Sequence, residues 1–182
     1  MTNQKFSLKY ILVIAATVFL TWLIHEFGHW LMGILLGYSS TMTLNGTSYH
    51  EGQNVTDWHK NIVSAAGPLV TLIQGLLAFL YLRTIGWCKH VYPILFTAFY
   101  MRLLAGLMNF IMLNDEGRIG AFLGIGTFTL SILISGSLFY MVYLISKKYR
   151  LNWKLQLATT LLVMFFSSAL IMVDQFFHIR LL

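Results

Sequence analysis

The chain has 182 residues, 58% of them hydrophobic and only 10% charged, where an ordinary soluble domain carries about 25% charged residues. A mean hydropathy of +0.73 with long uncharged runs points to an integral membrane protein, and residues 1–182 read as a single membrane domain with no room for a second large soluble one. The net charge of +6 comes from basic residues that flank apolar runs instead of clustering with exposed aromatics, which excludes a nucleic-acid binder; the single cysteine, Cys88, excludes an internal disulfide.

In chain order, the first apolar run covers about residues 10–36, after Lys5 and Lys9. Its start is like a signal peptide, but it is too long for one and is read as an uncleaved first span. Further runs cover about residues 61–82, 91–113, 119–145 and 155–177. Each meets the roughly 20 residues that a helix needs to cross the hydrocarbon core. The expected fold is therefore an all-α polytopic membrane protein with about five transmembrane helices.

The longest connection, residues 38–60, holds Asn45-Gly46 between the β-prone runs Thr41-Met42-Thr43-Leu44 and Thr47-Ser48-Tyr49-His50. Asn-Gly in that setting is the strongest short-range hairpin signal, so a small β-hairpin is expected after the first helix. It is either an ordinary surface hairpin or an edge strand for an extended peptide, with Thr43 and Leu44 as candidate substrate-binding residues. Lys5, Lys9, Arg83, Lys89, Lys147, Lys148, Arg150 and Lys154 fall on one side of the membrane, and Lys60, Arg118 and Arg180 on the other. The excess favours a cytoplasmic N-terminus, with the hairpin and the Asn114-Asp115 turn toward the opposite side.

Inside the first span lies His25-Glu26-Phe27-Gly28-His29. Positions four apart share a helix face, so His25 and His29 can grip one metal ion while Glu26 reaches a water beside it. A carboxyl group at the centre of a span costs about 2.5–3.5 kcal/mol on insertion scales, which argues that it is there for function. Two imidazoles plus a carboxylate suit one catalytic Zn2+ with an open fourth position. Of the remaining acids, Asp115 and Glu116 stand out as the third ligand, because they begin a short polar break on the same side as the metal helix; His50 and His59 are outside candidates. Ser64-Ala65-Ala66-Gly67-Pro68-Leu69-Val70-Thr71 permits close helix approach, and Pro68 can bend the helix. Arg102 lies midway along the third run; it faces a hydrated cavity, where it pairs with an acid or binds the substrate's backbone, or it snorkels to an interface.

His25-Glu26-Phe27-Gly28-His29, a hairpin, Ala66-Gly67-Pro68, then Asn109 and Asp115-Glu116-Gly117-Arg118 together resemble the site-2 protease family of intramembrane zinc metalloproteases. The resemblance covers about residues 10–119, the expected catalytic core, and not the last two spans. It implies that His25 and His29 are zinc ligands, that Glu26 is the catalytic base, that Asp115 is the third ligand with Glu116 as the alternative, and that Asn109 helps to position substrate. Thr71 stands where the family commonly has Asn, Glu116 replaces a glycine, and the interval from Asn109 to Asp115 is short and lacks proline. The family's site usually lies nearer the cytoplasm, opposite to the side that the charge count favours here.

The function expected from these features is an intramembrane zinc endopeptidase of a multi-pass protein in the cytoplasmic membrane of a prokaryote. Its partner would be a membrane-anchored protein or peptide in the lipid bilayer, cut within or near its span, with access depending on the lipid-facing helices or on an accessory membrane protein. A membrane metal transporter and a non-proteolytic zinc-containing scaffold are the alternatives.

Overall fold

The computed structural model describes Gln4 and residues 6–182; Lys5, one of the basic residues counted above, lies outside the described residues. Among the described residues there are six helices, α1 (Leu8–Leu35), α2 (Asp57–Thr84), α3 (Tyr92–Met108), α4 (Asp115–Phe122), α5 (Thr129–Lys148) and α6 (Trp153–Phe177). A two-stranded antiparallel hairpin, β1 (Ser40–Met42) and β2 (Thr47–Tyr49), follows α1. Four helices, α1, α2, α5 and α6, are long and apolar enough to cross a membrane, and α3 is apolar but has 17 residues.

α1 starts where the Ser7 hydroxyl accepts the Tyr10 N–H at 3.3 Å, a serine N-cap that satisfies one of the orphan donors of the first turn. Tyr10, Ile14, Val18, Trp22, His25 and His29 are all buried on it, and steps of three and four residues put them on one stripe. Leu12, Phe19, Leu20, Ile24 and Leu31 are exposed on its other faces, so the helix is apolar all round. α2 starts at Thr56, whose hydroxyl accepts from the His59 N–H, with Asp57 in the first turn, and it runs through Pro68 to Thr84.

The expected fourth span, residues 119–145, is not one helix. α4 ends at Phe122 and α5 begins at Thr129. Between them Gly124 and Gly126 have φ of +69° and +92°, a left-handed backbone that breaks a helix and that glycine adopts without steric cost. The third helix likewise stops at Met108, short of residue 113. Its C-cap residue Asn109 uses its side-chain carbonyl to accept the Asn114 N–H at 2.7 Å, which starts α4 in a new direction.

The hairpin forms, but in a different register from the one that an Asn-Gly centre would set. Met42 faces Thr47, and the Thr43 N–H donates to the Gly46 carbonyl at 2.8 Å, so Leu44 and Asn45 form the turn and Gly46 follows it. Leu44 is thereby buried in the core. The cause is tertiary: the Asp174 carboxylate at the end of α6 accepts the Leu44 and Asn45 N–H groups at 3.0 and 3.2 Å.

Hydrogen bonds fix the sense of the bundle. Tyr10 near the start of α1 meets Thr159 near the start of α6 at 2.7 Å, and Tyr149 just after α5 donates to the Leu82 carbonyl near the end of α2 at 2.6 Å. Asn109, after α3, donates to Ser131 near the start of α5 at 3.0 Å. The hairpin, α4 and the second half of α1 therefore share one end, and Lys9, Arg83, Lys89, Lys147, Lys148, Arg150 and Lys154 flank the other.

Candidate metal centre

The buried stripe of α1 changes from apolar to imidazole after Trp22. His25 and His29 meet α2 at Gly67, and they do so because Gly67 has no side chain: a Cβ there would lie 2.3 Å from His29 Nε2 and 2.6 Å from His25 Cε1. α2 then fixes both rings from behind. The Thr71 hydroxyl donates to the Gly67 carbonyl at 3.1 Å, so its oxygen must accept from His25 Nδ1, 3.0 Å away. His29 Nδ1 lies 2.7 Å from the Val63 carbonyl, which can only accept. Both Nδ1 atoms therefore carry the hydrogen, and both Nε2 atoms present lone pairs on the other side, as outer partners of metal-binding histidines do.

α4 brings the third donor. Asp115 Oδ2 lies 3.5 Å from His25 Nε2 and 3.4 Å from His29 Nε2, and the two Nε2 atoms are 3.2 Å apart. Three acceptor atoms in a triangle of that size repel one another unless a cation sits among them. Ligand bonds of about 2.1 Å in a tetrahedron place donor atoms roughly 3.4 Å apart, which is the spacing found. Among the described residues His25, His29 and Asp115 are the one group of His, Cys, Asp or Glu placed to hold a metal ion together. Asp115 is buried, and its Oδ2 faces both Nε2 atoms. Its other oxygen accepts from Arg118 at 3.1 Å.

Glu116, the alternative ligand, faces elsewhere. It is 1% exposed and accepts from Arg102 Nη1 at 2.8 Å. The same guanidinium lies 3.4 Å from His25 Nδ1 and 3.9 Å from Asp115 Oδ2. Arg102 thus pairs with an acid beside the donor triangle, as one of the three readings of its sequence position had it. Glu26 is buried, and Thr47 at the head of β2 donates to it, with Oγ1 3.3 Å from Oε2 and 3.2 Å from the backbone oxygen.

A cavity of about 920 Å³ opens beside these groups, lined by His25, Glu26, His29, Asp115, Arg102 and the hairpin from Asn45 to Tyr49, among others. Thr43 and Leu44 do not line it: the Thr43 hydroxyl donates to Asp174 at 2.8 Å, and Leu44 packs into the core. Asn109 does not line it either, because its amide is engaged by Ser131, Thr127 and the Asn114 N–H. His50 bonds Thr41 at 2.9 Å and His59 bonds Tyr38 at 2.6 Å, both apart from the triangle. Thr71, Thr47 and Asp174 are the residues whose site contacts sequence reasoning missed. Thr71 carried a faint signal, since it lies one helical turn after Gly67 in a run of small residues.

Comparison of the chain with protein-family models, with curated proteins and with solved structures found no match. The case for a function therefore stands on the site itself.

Proposed function

We propose that the protein is an intramembrane zinc endopeptidase similar to the site-2 proteases, acting on membrane-anchored polypeptides in a cytoplasmic membrane. The observation that carries this reading is the donor triangle of His25, His29 and Asp115, with both histidine tautomers set from behind and a carboxylate, Glu26, one residue from the first ligand. Two imidazoles and one carboxylate are the donor set that zinc takes in hydrolytic sites with an open position. When bound there, zinc supplies the Lewis acidity that polarises a scissile carbonyl and acidifies a water.

The chain's own residues do the rest. Glu26 takes a proton from the attacking water and later delivers it to the leaving amine. Thr47 aims the Glu26 carboxylate by holding Oε2, and it does so from the strand nearest the cavity. Arg102, paired to Glu116, lies beside the triangle without being a ligand. A helical peptide bond is already hydrogen-bonded, so the substrate must unwind before it reaches Glu26, and a strand edge at the same level favours the extended form.

The chemistry of Glu26 also separates this reading from a transporter or a scaffold, neither of which needs a base beside the metal. The test joins metal analysis to cleavage of a co-expressed single-span protein. Purified protein is expected to contain one zinc per chain, lost in Asp115→Ala and kept in Glu116→Gln. Glu26→Gln should keep the zinc and abolish cleavage, a loss of at least about a hundredfold for removal of a general base. Cleavage at the normal rate by Glu26→Gln sinks the mechanism, and full zinc in Asp115→Ala sinks the ligand set. Absence of zinc sinks the metalloprotease reading.

A further inference from the structure

The hairpin has two outer edges, and the molecule treats them differently. In an antiparallel pair, alternate residues exchange both backbone bonds with the partner and the residues between them point their N–H and C=O outward. Here the Thr43 N–H donates to the Gly46 carbonyl and the His50 N–H to the Ser39 carbonyl, while Thr41 faces Ser48. The inward residues are therefore 39, 41 and 43 on one strand and 46, 48 and 50 on the other. Ser40, Met42 and Leu44 point outward from β1, and Thr47 and Tyr49 point outward from β2.

Every outward residue of β1 is engaged. The Ser40 carbonyl accepts from Trp30 Nε1 at 3.1 Å. The Leu44 N–H donates to Asp174. Met42 bonds to the segment that follows α6: its N–H donates to the Leu182 carbonyl at 3.0 Å, and its carbonyl accepts from the Leu181 N–H at 2.9 Å. That segment can return along β1 because His178 ends α6 in the left-handed conformation, with φ of +44°, and turns the chain back. Asp174 is buried yet has no cationic partner among the described residues; three donors of the hairpin turn, the Thr43 hydroxyl and two N–H groups, satisfy it.

The edge of β2 is the reverse case. Among the described residues, no group bonds the backbone of Thr47 or Tyr49 on its outward side. Both residues line the cavity, and the Thr47 side chain holds Glu26. An unpaired strand edge is a template for another chain.

We infer that Asp174 and residues 178–182 close the β1 edge, so that an extended segment of a membrane polypeptide pairs only with the β2 edge, at Thr47 and Tyr49, where it lies beside Glu26. This rests on the protease reading. Asp174 is a positioning residue: it touches no substrate, but it sets the turn and hence the strand that faces the cavity. The substrate contribution is backbone hydrogen bonding, so the edge selects an unwound conformation and not a side-chain sequence.

The test is amide-resolved hydrogen exchange on zinc-loaded Glu26→Gln protein in lipid nanodiscs. The probe is a synthetic single-span peptide of about twenty Leu and Ala residues with a central Gly-Pro helix break. Without probe, the Met42 amide should be protected and the Thr47 and Tyr49 amides should exchange fast. With probe, Thr47 and Tyr49 should slow by about tenfold or more and Met42 should not change. Leu181→Pro removes the shorter of the two donors to the Met42 carbonyl and leaves the Leu182 N–H at 3.5 Å. It should leave zinc content intact, expose the Met42 amide, and let the probe protect Met42 as well. Asp174→Asn is a second way of loosening the same edge.

Probe protection at Met42 in Glu26→Gln protein with an intact tail overturns the inference. So does unchanged exchange at Thr47 and Tyr49, or a Leu181→Pro protein in which only β2 responds. These outcomes are separable from failure of the protease reading, which shows as no zinc and no cleavage by the wild-type chain. An edge assignment that fails alone shows as wrong amides in a protein that holds zinc and cuts.

Discussion

The two ends of the bundle solve the burial of polar groups in opposite ways. At the end with the hairpin, buried polar atoms are arranged around a point that none of them occupies: His25, His29 and Asp115 converge, Thr71 and the Val63 carbonyl stand behind the rings, and Arg102 and Glu116 neutralise each other alongside. At the other end buried polar atoms pair with one another or with backbone carbonyls around Tyr10 and Tyr149, and among the described residues the Tyr92 and Ser146 hydroxyls are left without a partner. Tyr10 donates to Thr159, which itself donates to the Leu155 carbonyl at 2.7 Å, and the Tyr149 hydroxyl is held by Leu82. Around these pairs pack Leu82, Tyr92, Leu95, Ile145 and Leu155. The first arrangement is worth little without a cation; the second holds together without one. That contrast is what identifies one end as a site and the other as structure.

All six acids also fall at or near the site end, while the described basic residues Lys9, Arg83, Lys89, Lys147, Lys148, Arg150 and Lys154 flank the far end. Several of these cations lie over aromatic rings, such as Lys89 5.3 Å from the Tyr10 ring centre and Lys148 5.1 Å from that of Tyr149. By the positive-inside bias, this distribution favours the far end as the cytoplasmic one.

Substitutions at the two ends should therefore fail differently. The largest effect is expected for Gly67→Ala. Its methyl would occupy the space of both imidazoles, so zinc content measured on purified protein should fall to background and cleavage with it. A Gly67→Ala protein that keeps one zinc would break the comparison, because the triangle would then tolerate displaced rings.

Thr71→Val sharpens it. Valine keeps the volume but removes the acceptor for His25 Nδ1–H, and loss of such an outer partner typically lowers metal affinity about 10–100-fold. Competition with a zinc chelator should show that drop with the fold unchanged by circular dichroism. The smallest effect belongs to the far end. Tyr10→Phe removes one donor and leaves Thr159 still bonded to Leu155, so it should cost about 1 kcal/mol of stability in a thermal unfolding assay. Zinc content and cleavage should not move. A Tyr10→Phe protein that loses zinc would show that the two ends are one cooperative unit and not two.

The α1 motif was legible because His25, Glu26 and His29 obey local helix geometry, which needs no other element to define it. The hairpin was legible for the same reason, through its turn residues. Its register was not: the Asp174 carboxylate, 130 residues from Leu44, takes the N–H groups that decide which residues turn. The fourth span read as one apolar run, since hydropathy averages over Gly124 and Gly126 and does not see their backbone angles. The choice between Asp115 and Glu116 was equally closed to pattern, as adjacent helical residues point about 100° apart and only the position of α4 against α1 decides which one reaches the imidazoles.

The sequence by itself determined that this is a chain of apolar helices, with two imidazoles and a carboxylate on one of them and a hairpin after it. Those properties come from composition and from periodicity within a few residues. Only the tertiary structure decided that Asp115 completes the triangle, that Thr71 and Val63 set the histidine tautomers, that Glu116 neutralises Arg102, and that β1 is closed while β2 is open. Each of those is a contact between atoms far apart in the chain, set by how the helices pack, and no local rule encodes it.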